Sequence, residues 1–119
     1  MTVTGIDHVQ VAAPAGCEPE ARAFYGGLLG LEELPKPEAL AARGGCWFQA
    51  GAQELHIGVE DPFTPARKAH PSFVVADLDA VAAKLTAAGH VVTYDDLIPG
   101  VKRFETVDPF GNRLEFRQA

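Results

Sequence analysis

The order strand, helix, three strands is written into this sequence twice, and that repetition limits the folds open to it more than any other feature. Apolar alternation marks a strand over 5–13, with Val9 and Val11 on one face and Ile6, His8, Gln10 and Ala12 on the other. Residues 18–29 read as a helix, with acids in the first turn and Ala21, Phe24, Tyr25, Leu28 and Leu29 at helical spacing. Gly30 falls where a C-terminal glycine cap is expected. Strands follow over 31–34, 46–50 and 53–59, the last two joined by a tight Ala50-Gly51-Ala52 turn, with a loop or one helical turn over 35–43. In the last of these, Leu55, Ile57 and Val59 share one face, and Glu54, His56 and Gly58 the opposite one.

The second copy opens after a proline-bearing connector. In 70–75, His70, Ser72 and Val74 lie opposite Phe73 and Val75. The helix over 78–88 turns Leu78, Val81, Ala82 and Leu85 inward, with Asp77 as N-cap and Gly89 closing it. Strands over 90–94 and 101–107 precede a turn, Asp108-Pro109-Phe110-Gly111. Beyond it Leu114 and Phe116 point one way, and Arg113, Glu115 and Arg117 the other. The division is module one over 1–60, connector 61–69 and module two over 70–119. Halves of roughly 60 residues bury too little alone, so they are expected to pair into one α+β domain spanning 1–119.

The formal charge of −6 disfavours nucleic acid and anionic membrane as partners. Cys17 and Cys46 have no C-x-x-C spacing, which suits free thiols in a reducing compartment. The N-terminus lacks a basic region followed by an apolar run, and no segment approaches a membrane span, so a cytoplasmic protein is expected.

Four side chains on the faces turned away from the helices carry metal-ligand chemistry: His8, His56, His70 and Glu115. Neutral imidazole and carboxylate bind borderline divalent ions such as zinc, nickel, manganese or ferrous iron. A lone histidine on a strand is more often a satisfied structural residue. Three on one parity with a glutamate, in a duplicated chain, make a stronger pattern. Glu54 shares the face of His56 and is its rival, whereas His90 reads as a surface residue at a helix exit. Trp47, Phe48 and Phe104 could line a cavity or fill the core, and the strand pattern alone favours core.

Several segments together resemble the vicinal oxygen chelate superfamily, which holds glyoxalase I, fosfomycin- and bleomycin-resistance proteins, methylmalonyl-CoA epimerase and extradiol dioxygenases. The matching segments are Ile6-Asp7-His8-Val9, Phe24-Tyr25 with Leu29-Gly30-Leu31, His70, and Asp108-Pro109-Phe110-Gly111-Asn112 leading to Leu114-Glu115-Phe116. The resemblance spans nearly the whole length. It implies two tandem βαβββ modules forming an eight-stranded, U-shaped mixed sheet, a cup with helices on its outer face, around one divalent metal. His8, His70 and Glu115 match its ligand positions. The fourth, a glutamate in glyoxalase I and a glutamine in the epimerase, is best matched here by His56, a departure that leaves Glu54 as the alternative.

Such a donor set would leave a divalent ion with a net charge of about +1, favouring an anionic substrate oxygen. The expected function is then a metal-dependent lyase or isomerase of glyoxalase or epimerase type, with Glu115 as proton shuttle. Arg67, Lys68 and Arg103 are candidate contacts for a small anionic substrate, with Lys102 beside them. The alternatives are a fosfomycin-type metal-dependent transferase and a non-catalytic drug-sequestering protein of bleomycin-resistance type, which the acidic charge would suit. A homodimer is expected from the sheet edges that a cup leaves to be covered.

Overall fold

The computed structural model describes residues 2–119 and divides into two compact units, Met1–Thr64 and Pro65–Ala119. The chain is α+β, and each unit is built on a four-stranded mixed sheet. Among the described residues no helix is long and apolar enough to cross a membrane.

In the first unit, β1 (His8–Ala13) is followed by α1 (Glu18–Ala21), which continues into a π-helical segment, Arg22–Leu28. Then come β2 (Glu32–Leu34), α2 (Glu38–Ala41), β3 (Cys46–Ala50) and β4 (Gln53–Val59). The sheet order is β1-β4-β3-β2, with β1 parallel to β4 and the other pairs antiparallel. Gly51, at φ +63°, supplies the left-handed residue that the two-residue β3–β4 turn requires. The apolar parity packs on the helical segment: Val11, Ala13, Cys46, Phe48, Leu55 and Ile57 are buried with Ala21, Phe24 and Tyr25. Cys17 and Cys46 are free thiols within this core.

The expected helix over 18–29 forms, but most of it is wound as a π-helix, with Leu29 N–H donating to the Phe24 carbonyl at 2.9 Å. Gly26-Gly27 is the pair least suited to regular α-helix, and it falls inside that stretch. A Cβ at Gly26 would sit 3.4 Å from the Phe48 ring, so the absent side chain lets the sheet aromatic approach the helix.

The second unit repeats the order: β5 (Ser72–Val75), α3 (Leu78–Ala87), β6 (Thr93–Asp95), β7 (Arg103–Val107) and β8 (Arg113–Gln118). Its sheet, β5-β8-β7-β6, has the same connectivity, with the first strand parallel to the last. Phe116 is the centre of the core, with ring centroids 5.3 Å from Phe73 and 5.1 Å from Phe104, under Leu78, Ala82 and Leu85 of α3. Asp77 caps α3 by accepting from the Ala80 N–H at 3.1 Å.

The turn before β8 is closed by Gly111 N–H donating to the Asp108 carbonyl at 3.1 Å. Asp108, buried, also accepts through its side chain from the N–H groups of Phe110 and Asn112 and from the Asn112 amide, each at 2.9 Å. Asn112 in turn accepts from Ala66 N–H at 2.9 Å, tying the start of this unit to the turn. The motif that most resembled a family signature is thus a structural clasp that sets the register of β8.

Asp108→Ala removes three accepted bonds from a buried carboxylate and should lower the unfolding free energy by about 3 kcal/mol. Asp77→Ala, losing one exposed cap, should cost only about 1 kcal/mol. Urea denaturation of the two variants checks the order. Equal losses would show that the clasp does not hold the last strand.

Candidate functional site

Strand alternation gives each unit one face free of helix, and the polar side chains gather there. In the first unit, pairing places His8, Gln10 and Ala12 of β1 beside Glu54, His56 and Gly58 of β4, then Gln49 and Trp47 of β3, then Glu32 and Leu34 of β2. His56 and Trp47 are direct cross-strand partners, and their rings stack at 3.9 Å with only 4° between the planes. His8, diagonal to His56, lies on its other side at 4.2 Å and 14°. His56 is therefore the middle ring of three, which explains its 6% exposure on a polar face. Its Nε2–H donates to Glu54 at 2.9 Å. His8 donates from Nδ1 to Asp7 at 2.9 Å. The amide of Gln10 lies over Gly58, where a Cβ would come within 2.6 Å of it.

The strand pattern places Trp47 in the core, and the structure corrects this. Phe48 and Phe104 are fully buried, but Trp47 has the parity of His56 and covers it. The signal was available, since Trp47 and Phe48 are adjacent on one strand and cannot both face the helix.

In the second unit the corresponding face is ionic. Ser72, Glu115 and Arg117 lie beside Arg103 and Glu105, with Asp95 and Thr93 beyond. Arg103 stands directly opposite Arg117, and Glu105 opposite Glu115. Like charges so placed repel, and the opposite-charge contacts relieve this. Arg103 Nη1 and Ser72 Oγ both donate to Glu115, as does Arg117 Nε at 2.8 Å. Arg103 Nε also donates to Asp95 at 3.0 Å, and Arg113 pairs with Glu105. Burial alone would push the Glu115 carboxyl up; the donors from Ser72, Arg117 and Arg103, with the charge of Arg103, outweigh it and bring the group to about 2.

His70 sits just before β5. Its Nδ1 donates to the Lys68 carbonyl at 2.8 Å, which leaves Nε2 as a free acceptor 3.9 Å from Glu115. Arg67 and Lys68 are exposed. Lys102 turns to the helix side and pairs with Asp79 at 2.6 Å. Arg103, one of the candidate substrate contacts, is committed to Asp95 and Glu115. His90 leaves α3 and donates to the Val107 carbonyl at 3.2 Å.

The donors can be tested against the expected metal unit by unit. His8 and His56 are face to face, and an ion held in the plane of one ring would lie out of the plane of the other, off its lone pair. In the second unit, His70 has a free Nε2, but both oxygens of Glu115 accept from positively charged donors. In neither unit do three or more His, Cys, Asp or Glu side chains gather, among the described residues, as a metal would require. As arranged, each unit offers one ready imidazole beside a blocked partner, and neither unit alone holds a metal-binding set among the described residues.

No protein-family model matches the sequence, and among curated proteins none matches it significantly. Solved structures do. A protein assigned to the glyoxalase family from Bacillus anthracis is 58% identical, with 98% of this chain and 95% of that one covered and a TM-score of 0.93. A lactoylglutathione lyase from Agrobacterium tumefaciens is 21% identical over 100% of this chain and 96% of its own, with a TM-score of 0.76. TnmS3, an antibiotic binding protein from Streptomyces sp. CB03234, is 21% identical over 99% and 98%, with a TM-score of 0.75. At that identity the likeness to the last two shows a shared fold alone.

The folded-state carboxyl of Glu115 lies below its ordinary 4.5, so the stability it contributes is fully present above that pH and is lost as pH falls towards about 2. The contribution is on the order of 3 kcal/mol. Wild-type denaturation midpoints should fall across that window. Glu115→Gln should be less stable at neutral pH and lose that share of the pH dependence. Parallel curves for the two proteins would contradict the assignment.

Proposed function

This chain belongs to the glyoxalase family, and we propose that within it the protein binds a small organic molecule without a metal of its own, as a sequestering protein does. One observation carries the reading: Glu115, the candidate proton shuttle, is spent on Arg103, Arg117 and Ser72. A carboxyl held near 2 is a poor base at neutral pH, because general-base catalysis is most effective with a pKa near the working pH. A face of stacked rings with carboxylates and amides is the mixture of apolar surface and few polar groups that small-molecule sites use. The net charge of −6 favours a cationic ligand.

A metal-dependent enzyme of glyoxalase or epimerase type is the second reading. It is favoured by His70, whose Nδ1 is anchored on a carbonyl and whose Nε2 is free beside Glu115, as in an oriented metal-binding imidazole. It requires Arg103 and Arg117 to release Glu115. Zinc, nickel, manganese and ferrous iron are then the candidate ions, His8, His56 (or Glu54) and His70 the other ligands, and a small anionic molecule the substrate. A homodimer in the cytoplasm is compatible with either reading.

Elemental analysis of protein expressed with each of these metals supplied, then dialysed, separates the two. The binding reading expects well under one ion per chain, unchanged in His70→Ala and Glu115→Gln. Stoichiometric metal in the wild type that is lost in both variants would overturn it in favour of the enzyme.

A further inference from the structure

The three-ring column of the first unit ends on an open ring. Trp47 on β3, His56 on β4 and His8 on β1 stack in turn across the strands, at 3.9 Å and 4.2 Å with nearly parallel planes. β1 is an edge strand. Each inner ring face has a neighbour, but His8 has one face on His56, a side chain that is 46% exposed, and no further ring on it among the described residues. We propose that the outer face of His8 is the stacking site for a planar aromatic cation, which enters as the fourth member of the column. The proposal rests on the binding reading above and names the class of ligand.

The geometry favours a flat molecule, because three rings already held parallel fix the orientation of a fourth at little further entropic cost. The charges select its sign. On this face the register places Glu32 and Glu54 with no lysine or arginine, and Asp7 lies at the rim, bonded to His8. The two carboxylates that touch the column, Asp7 and Glu54, each accept a proton-bearing nitrogen of a histidine at 2.9 Å. They fix the rings and add negative potential beside them. A planar anion gains the stacking but meets this field unfavourably. A compact, non-planar cation gains the field but not the stacking. Only a molecule that is both flat and positive uses both.

The test uses proflavine as the planar cation, anthraquinone sulfonate as the planar anion and tetraethylammonium as the non-planar cation. Trp47 is the only tryptophan in the chain, so quenching of its fluorescence reports on the column directly. Proflavine should bind with saturable quenching, and the other two at least roughly tenfold more weakly. His8→Ala should weaken proflavine by about tenfold, whereas His8→Phe, which keeps a ring, should remain within about threefold of wild type. Should His8→Ala fail to fold, the ring protons of His8 in the wild type provide the second measurement and should move upfield as proflavine is added. The inference is overturned by undetectable binding of proflavine, by equal binding in His8→Ala, by anthraquinone sulfonate binding as tightly, or by unmoved His8 resonances at saturation. Metal content is measured separately. A protein that is metal-free yet indifferent to His8→Ala loses this inference alone, and a stoichiometrically metallated one loses the reading beneath it.

Discussion

A carboxylate at 3% exposure must be compensated, and how Glu115 is compensated governs what the rest of the molecule can do. Three donors close on it, two of them guanidinium groups. They come from β5, β7 and β8 itself, so the ion cluster also ties three strands of the second sheet to each other. The cross-strand pairs would otherwise set arginine against arginine and glutamate against glutamate. Glu115 turns that liability into a network in which every like-charge pair has an opposite charge beside it. On the proposed binding reading, the same commitment removes it from the chemistry that its position on the strand would suggest.

The two units share connectivity but fill their helix-free faces differently. In the first, the polar parity carries three stacked rings with carboxylates at their edges; in the second, it carries alternating charges. A duplicated scaffold of this kind fixes where side chains point and leaves their chemistry open. That separation is why family membership settles the fold while the ligand has to be argued from particular residues.

Much of this was legible before any coordinates. Alternation put His8, Glu54 and His56 on one face and Ser72 and Glu115 on another, and the pairing registers agree. The N-cap Asp77, the Gly51 turn and the duplicated order followed from local rules that tertiary contacts do not override. What escaped was of two kinds. Trp47 was read with Phe48 as core, because hydrophobicity outweighed parity for a large ring, although a tryptophan can lie on a polar face when another ring covers it. The partners of Glu115 escaped because the choice between a metal and an arginine is made by cross-strand register. Arg103 and Glu115 lie on the two strands of one hairpin and meet diagonally, across a register set by the 108–112 turn, which strand alternation alone does not give. The π-helical segment likewise includes Gly26, whose missing side chain leaves room for the Phe48 ring from β3.

The central claim is that Glu115 is an ionised structural carboxylate held by arginines. The most direct measurement is a carbon-detected NMR titration of its side-chain carboxyl, with and without one equivalent of zinc. The account expects a midpoint near 2 that zinc leaves unmoved. A midpoint in the ordinary carboxylate range, or a resonance shifted stoichiometrically by zinc at neutral pH, would contradict it.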